Sequence, residues 1–250
     1  LIRISGLDRR KFLQGLISND INLLDRQPCV YACLLNAQGK FLHDFFITEK
    51  NDTLLLDCEG DARSEDLFRR LSMYKLRAEV ILQCEKEIDV YAISEFQNLG
   101  ISESQNKKFG DSEILKFGYS DPRHPALGFR TFEKPTDLPE KPFEEWDSLR
   151  ISLCVPDGSR DMIPEKSTLL ECNIDKLNGI SWDKGCYTGQ ELTARMHYRG
   201  LAKKHLYAVR IESPNLNSEI RSSCGDIGIA LLKDEKANDR DLSTHGLALL

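Results

Sequence analysis

Apolar residues in the first third of the chain change period repeatedly. Phe12, Leu13, Leu16 and Ile17 recur at helical spacing, residues 30–35 form an almost unbroken apolar run, and Leu67, Phe68, Leu71 and Tyr74 return to the helical period. A 3.6-residue period marks an amphipathic helix, and a short apolar run bounded by turn residues marks a buried strand. The pattern predicts a helix after Asp8, with that aspartate as its N-cap. It then predicts a hairpin: strand 30–35, the turn Asn36-Ala37-Gln38-Gly39-Lys40 and strand 41–48, with Gly39 free to take a positive φ. A strand at 53–57, a helix over 64–76 and a strand at 78–84 complete an α+β layer rather than alternating β/α units.

A second unit begins near Ile88 with a strand at 89–94. A polar loop at 102–111 and strands at 114–118 and 127–132 follow it. Pro135, Pro139 and Pro142 punctuate a connection to a helix over 143–153, where Trp146, Leu149 and Leu153 share one side. After Gly200 the alternation at 205–212 and 226–232 predicts strands, with a polar stretch at 215–223 between them. The chain thus divides into 1–86, 87–200 and a β-rich unit at 201–250.

Composition narrows the function classes. A length of 250 residues supports a large core. Thirty-four basic against 40 acidic residues, a net charge of -6, argue against a general binder of the nucleic-acid backbone. Eight cysteines without a CxxC pair point to reduced thiols in a cytosol-like compartment. No apolar stretch reaches the length of a membrane span, and no basic-then-apolar leader opens the chain. The expectation is a cytoplasmic monomer that touches neither membrane nor nucleic acid directly. The start at Leu1 without Met, and the end inside Gly246-Leu247-Ala248-Leu249-Leu250, read as trimming from a longer product, which leaves a removed targeting peptide open. The five histidines form no HExxH, and Cys29 and Cys33 share a strand face without further ligands, so no resident metal is expected. Phosphate loops of the GxxxxGKT or GxGxxG kind and the GxSxG elbow do not occur.

Candidate chemistry concentrates in Lys184-Gly185-Cys186-Tyr187-Thr188-Gly189-Gln190-Glu191, followed by Leu192-Thr193-Ala194-Arg195. A thiol works as its thiolate, which a nearby cation or a helix N-terminus stabilises. Lys184 and Arg195 are the cations at hand, and the helix formers from Gln190 onward place a helix just after Cys186. The alternative is a tight glycine turn in which Cys186 packs as a small apolar residue. Glu191 and Arg195 are also spaced for an i,i+4 ion pair.

The run KGCYTGQE followed by AR resembles the signature of the YgfZ-type folate-binding proteins, relatives of the glycine-cleavage T-protein. The likeness covers essentially the whole chain. It is strongest from Trp146 to Gly200 and weaker in Phe12-Leu13-Gln14-Gly15 and in Asn36 to Lys40. It implies an α+β fold of two ferredoxin-like units plus a small C-terminal β-barrel around a central folate site. It also implies a tetrahydrofolate-binding accessory factor for assembly or repair of iron–sulfur enzymes, including tRNA-modifying ones, with iron–sulfur client or assembly proteins as partners. On this resemblance Cys186 is the functional thiol beside Lys184, and the Trp146 indole stacks the flat pterin. Tyr187, Gln190, Glu191, Arg195 and Arg199 are assigned to the cofactor, with Arg150 a further candidate, because guanidinium suits the carboxylates of the folate tail. A second family tryptophan is expected upstream of Leu1. The alternative implied is a folate-dependent aminomethyltransferase of the T-protein class. That family's hairpin carries two adjacent aspartates; here His43 replaces one, leaving Asp44 for acid/base work.

Overall fold

The computed structural model describes residues 1–86, 88–93, 118–136, 138–212, 219–238 and 247–250. The predicted loop at 102–111 and nearly all of the strand at 114–118 lie outside them. The first unit runs β1 (Ile2–Ser5), α1 (Arg9–Gln14), β2 (Val30–Leu35), β3 (Phe41–Lys50), β4 (Thr53–Asp57), α2 (Asp61–Tyr74) and β5 (Ile81–Cys84). Its five strands form one antiparallel sheet in the order β2-β3-β4-β1-β5. Local pattern accounts for most of this. Every residue of β2 is buried because both faces of the strand are covered. Val30, Ala32 and Leu34 pack towards Leu13, Leu67 and Leu71, whereas Tyr31, Cys33 and Leu35 join a second core with Ile151, Ile174 and Tyr187.

Two end signals differ from expectation. Asp8 makes no side-chain cap on α1; its carboxylate accepts from the Glu79 amide at 2.9 Å, tying that corner to the approach to β5. Helix α2 begins at Asp61, three residues early, and ends where Leu76 takes φ 41°.

In the next unit, β6 (Tyr91–Ile93), β7 (Gly118–Ser120) and β8 (Phe129–Thr131) form a three-stranded antiparallel sheet with β8 central. The helix α3 (Phe143–Ser152) follows, and its buried face corrects the apolar reading. The residues it buries are Asp147, Arg150 and Ile151, and Arg150 is wholly enclosed. The guanidinium donates to Asp147 at 2.6 Å, Asp161 at 2.7 Å, the Val155 carbonyl at 3.2 Å and the Ser222 hydroxyl at 3.0 Å. A buried charge survives only with such pairing.

After α4 (Gln190–Tyr198), the strands β9 (Lys204–Ile211), β10 (Ile220–Cys224), β11 (Ile227–Lys233) and β12 (Leu247–Leu249) form a four-stranded antiparallel sheet, with α5 (Asp234–Asn238) beside it. The order β10-β11-β9-β12 leaves β10 and β12 as open edges among the described residues, so the sheet does not close into the expected barrel. Strand β10 falls inside the stretch read as polar: Ser222 is buried there and bonds Arg150, so polarity did not mean exposure.

Candidate functional site

Three sequence segments that are far apart in the chain meet around Cys186. The Thr188 amide donates to the Gly15 carbonyl at 3.1 Å, and the Lys184 ammonium donates to the carbonyls of Gln14, Ile17 and Asn19 at 2.7, 2.7 and 2.8 Å. Gly189, at φ 81°, lies against the hairpin turn: an added Cβ would stand 2.4 Å from the Asn36 carbonyl oxygen and 3.1 Å from the Gly39 Cα. Gly39, at φ 79°, faces Gly189 and Leu192 just as closely. Two glycines are required because two backbones touch, each in a left-handed conformation. The Gln190 side-chain oxygen accepts from the Tyr187 amide at 3.1 Å, fixing the start of α4. Tyr187 itself is buried, with the Lys184 ammonium 4.9 Å from its ring centre.

Cys186 is the only exposed cysteine of the eight. Burial pushes five of the others away from reactivity: Cys29 and Cys33 are raised well above the ordinary thiol range, Cys58 and Cys172 to about 12 and Cys154 to about 11. Lys184 does not serve the thiol as a bare cation. Burial lowers its amine to about 8, and its protons are spent on the three carbonyls. The loop therefore holds its thiol in solvent by backbone contacts. At the far end of α4 the Trp182 and His197 rings stack at 3.9 Å, and Tyr198 stands 72% exposed beside them.

A separate cleft of about 320 Å³ opens between the first sheet, the second sheet and the start of α3. Trp146 and Phe143 line it from α3, with ring centres 5.7 Å apart. Asp44 lines it from β3, accepting from the Tyr31 hydroxyl at 3.0 Å and from Arg63 at 3.0 Å. Gly158 lets the opposite loop pass directly over Asp44, since a Cβ there would lie 1.8 Å from a carboxylate oxygen. Arg123 and Arg130 flank Phe46 with their guanidinium carbons 4.7 and 4.5 Å from its ring centre. Both are committed: Arg123 to Asp121 at 2.7 Å, and Arg130 to Asp57 at 2.8 Å. Asp57 also accepts from the Tyr119 hydroxyl at 2.6 Å. His43, next along β3, pairs with Asp66 at 2.8 Å, and burial lowers its imidazole below the ordinary range.

The structure thus brings Asp44 and Trp146 together in the cleft, and Lys184, Cys186, Tyr187 and Gln190 together in the loop. Cys186 is not among the cleft residues. Glu191 and Arg195 pair with each other on the exposed side of α4, and Arg199 is exposed at its end. Arg150 is enclosed, with its donors engaged. Sequence reasoning missed Arg123, Arg130, Asp57, Glu59 and Asp157. Asp57, Glu59 and Arg130 lie in a strand or turn without a distinctive local pattern, whereas Asp121-Pro122-Arg123 and Pro156-Asp157-Gly158 carry turn signals that do not mark a site.

No family model matches the chain. Among solved structures, the glycine cleavage system aminomethyltransferase T from Bartonella henselae superposes with a TM-score of 0.68, covering 93% of this chain and 75% of that one at 13% identity. That identity carries the fold alone: the chain has a T-protein-like fold. The mitochondrial iron–sulfur cluster assembly factor IBA57 of Mus musculus is 30% identical over 94% of this chain and 75% of its own length. The same factor of Homo sapiens is 31% identical over 94% of the chain and 76% of its length. These relatives are named as mitochondrial, which overturns the cytoplasmic expectation. That expectation rested on unpaired cysteines, and a reducing compartment is all they indicate. With nearly its whole length matched at this identity, the chain belongs to the family of the IBA57 iron–sulfur cluster assembly factors.

Proposed function

We propose that the protein acts in mitochondrial iron–sulfur cluster assembly as an accessory factor rather than an enzyme, offering Cys186 to a cluster-handling partner while the cleft binds a reduced folate. The observation that carries this reading is the exposure of one thiol, and only that thiol, on a loop where three segments converge. A YgfZ-like subtype and clients among tRNA-modifying enzymes belong to the same proposal. So does a ferredoxin-like reading of β5-β1-β4-β3, with β2 as an added edge strand.

The cleft suits the pterin end of a folate. Its volume is at the small end of ligand pockets, enough for a bicyclic ring with the tail outside. Trp146 and Phe143 offer flat faces, and the carboxylates of Asp44 and Asp157 offer acceptors for ring N–H groups. Bound folate would supply a one-carbon carrier. Both oxygens of Asp44 are already occupied by Tyr31 and Arg63, which favours a holding role over proton abstraction and so favours the accessory reading over aminomethyl transfer.

Calorimetric titration with tetrahydrofolate tests the cleft. Trp146→Ala is expected to weaken binding by about tenfold, roughly 1.4 kcal/mol; equal affinity in the variant removes Trp146 from the site. Cys186→Ser is expected to bind folate as the parent does and to fail in rescuing a strain that lacks the protein. Full rescue would sink the role of the thiol.

A further inference from the structure

Glu59 and Asp157 approach the cleft from opposite sides. Glu59 lies between β4 and α2 in the first unit, and Asp157 lies in the loop that follows α3. The Ser159 hydroxyl stands 2.8 Å from Glu59 Oε1 and 2.8 Å from Asp157 Oδ1. A hydroxyl has one proton to donate, so it satisfies one carboxylate. The other oxygen is a partner at that distance only if it carries a proton and donates it to the hydroxyl oxygen.

The surroundings decide which one does. Asp157 also accepts from the Ser159 amide at 2.8 Å and from Arg160 Nε at 3.0 Å, so it is the better-supported anion. Burial alone would raise its carboxyl, but the Ser159 amide, the Ser159 hydroxyl and Arg160 outweigh that and hold it below the ordinary range. Glu59 has only Arg63 Nε at 4.0 Å, and that guanidinium donates to Asp44 and to the Gly158 carbonyl. The proton belongs to Glu59.

We propose that Glu59, Ser159 and Asp157 form a proton-held latch across the mouth of the cleft, closed while the Glu59 carboxyl is protonated and released when it ionises. Burial and the Asp157 charge push Glu59 up to about 7 from its ordinary 4.5. The closed state binds the proton more tightly than the open one. Closure is therefore fully supported below pH 4.5 and loses that support as pH rises through about 7. Arg63 opposes the proton, and Asp44 favours it. Arg160 acts through Asp157, and the neighbouring Cys58 thiol stays neutral. Asp57, Asp89, Arg123 and Arg130 line the same cleft and complete its charges. Because half of the Glu59 side chain is exposed, solvent screens the repulsion, and the pair titrates as a unit.

Trp146 lines the cleft, so its emission reads the latch without any ligand. The titration uses a Trp182→Phe background, which removes the indole stacked on His197. Between about pH 5 and about pH 9 the parent is expected to show a single-proton transition near neutrality. Glu59→Gln, uncharged and of the same shape, abolishes it, and Asp157→Asn moves it down by about one unit or more. Amide exchange across residues 156–160, corrected for its intrinsic pH dependence, is expected to rise several-fold over the same transition in the parent and to stay level in Glu59→Gln. A transition that survives Glu59→Gln, or flat emission and exchange in the parent, overturns the latch. Circular dichroism verifies the fold of each variant first.

Discussion

Around Cys186 the chain is held by its own backbone: Gly189 against Asn36 and Gly39, Thr188 on Gly15, and Lys184 on three carbonyls. Around Trp146 it is held by side-chain ion pairs, with Arg150 on Asp147 and Asp161, Arg123 on Asp121, and Arg130 on Asp57. The glycine and amide contacts do not titrate in the physiological range, and the Lys184 amine does so only at about 8, so below that pH the loop presents its thiol in one place. Ion pairs supply both signs of charge to a small cleft and respond to protonation. The two regions share the β2–β3 hairpin, whose turn meets the loop and whose Asp44 enters the cleft. They are otherwise built to different rules, and a single substitution should disturb one without the other.

The largest effect is expected at Arg150. Replacing it with Met leaves Asp161 buried without its cation and Asp147 with Arg160 alone, a loss of about 3–5 kcal/mol. Denaturant unfolding measures the loss, and in conditions where the variant stays folded the labelling rate of Cys186 should match the parent. A parent-like midpoint would mean that α3, and Trp146 with it, is held by something else.

Gly189→Ala breaks the other side of the comparison. The left-handed backbone costs an alanine roughly 1–2 kcal/mol, and the approach of 2.4 Å to the Asn36 carbonyl adds to it. Thiol labelling should change with this variant while Trp146 emission does not. If both change together, the loop and the cleft are mechanically coupled through the hairpin.

The smallest effect is at His43, beneath the cleft. Burial lowers its folded-state pKa below the ordinary 6.5 despite Asp66, so as pH falls below 6.5 the unfolded chain takes up the proton first. Stability then declines towards the folded-state value, by at most about 1.4 kcal/mol per unit of lowering. His43→Gln should remove that slope between about pH 7 and about pH 5.5 in paired denaturation curves. An unchanged slope would show that other groups carry the acid sensitivity.

Much of the fold was legible because it is local. The run 30–35, the turn at Gly39 and the period of Leu67 and Leu71 each report their own environment within a few residues. On α3 and at its C-cap, Leu149 and Leu153 pack against the core as their spacing implies, but the most deeply buried polar positions were not legible, for the converse reason. Asp147 and Arg150 look like solvent residues until Asp161 and Ser222 arrive from later in the chain to pair with the guanidinium. Strand β10 was hidden by the same buried serine. Arg123 and Arg130 gave no signal of their place in the cleft, because a guanidinium over Phe46 depends on three segments meeting.

The sequence by itself determined most of the elements and singled out the segment around Cys186, since both are written in short-range pattern and residue identity. Only the tertiary structure decided that Cys186 is exposed while seven other thiols are partly or wholly buried, and that Gly39 and Gly189 serve one contact. It also separated the thiol from the cleft that holds Trp146 and Asp44. Burial, pairing and proximity are properties of distant segments brought together, and no local period encodes them.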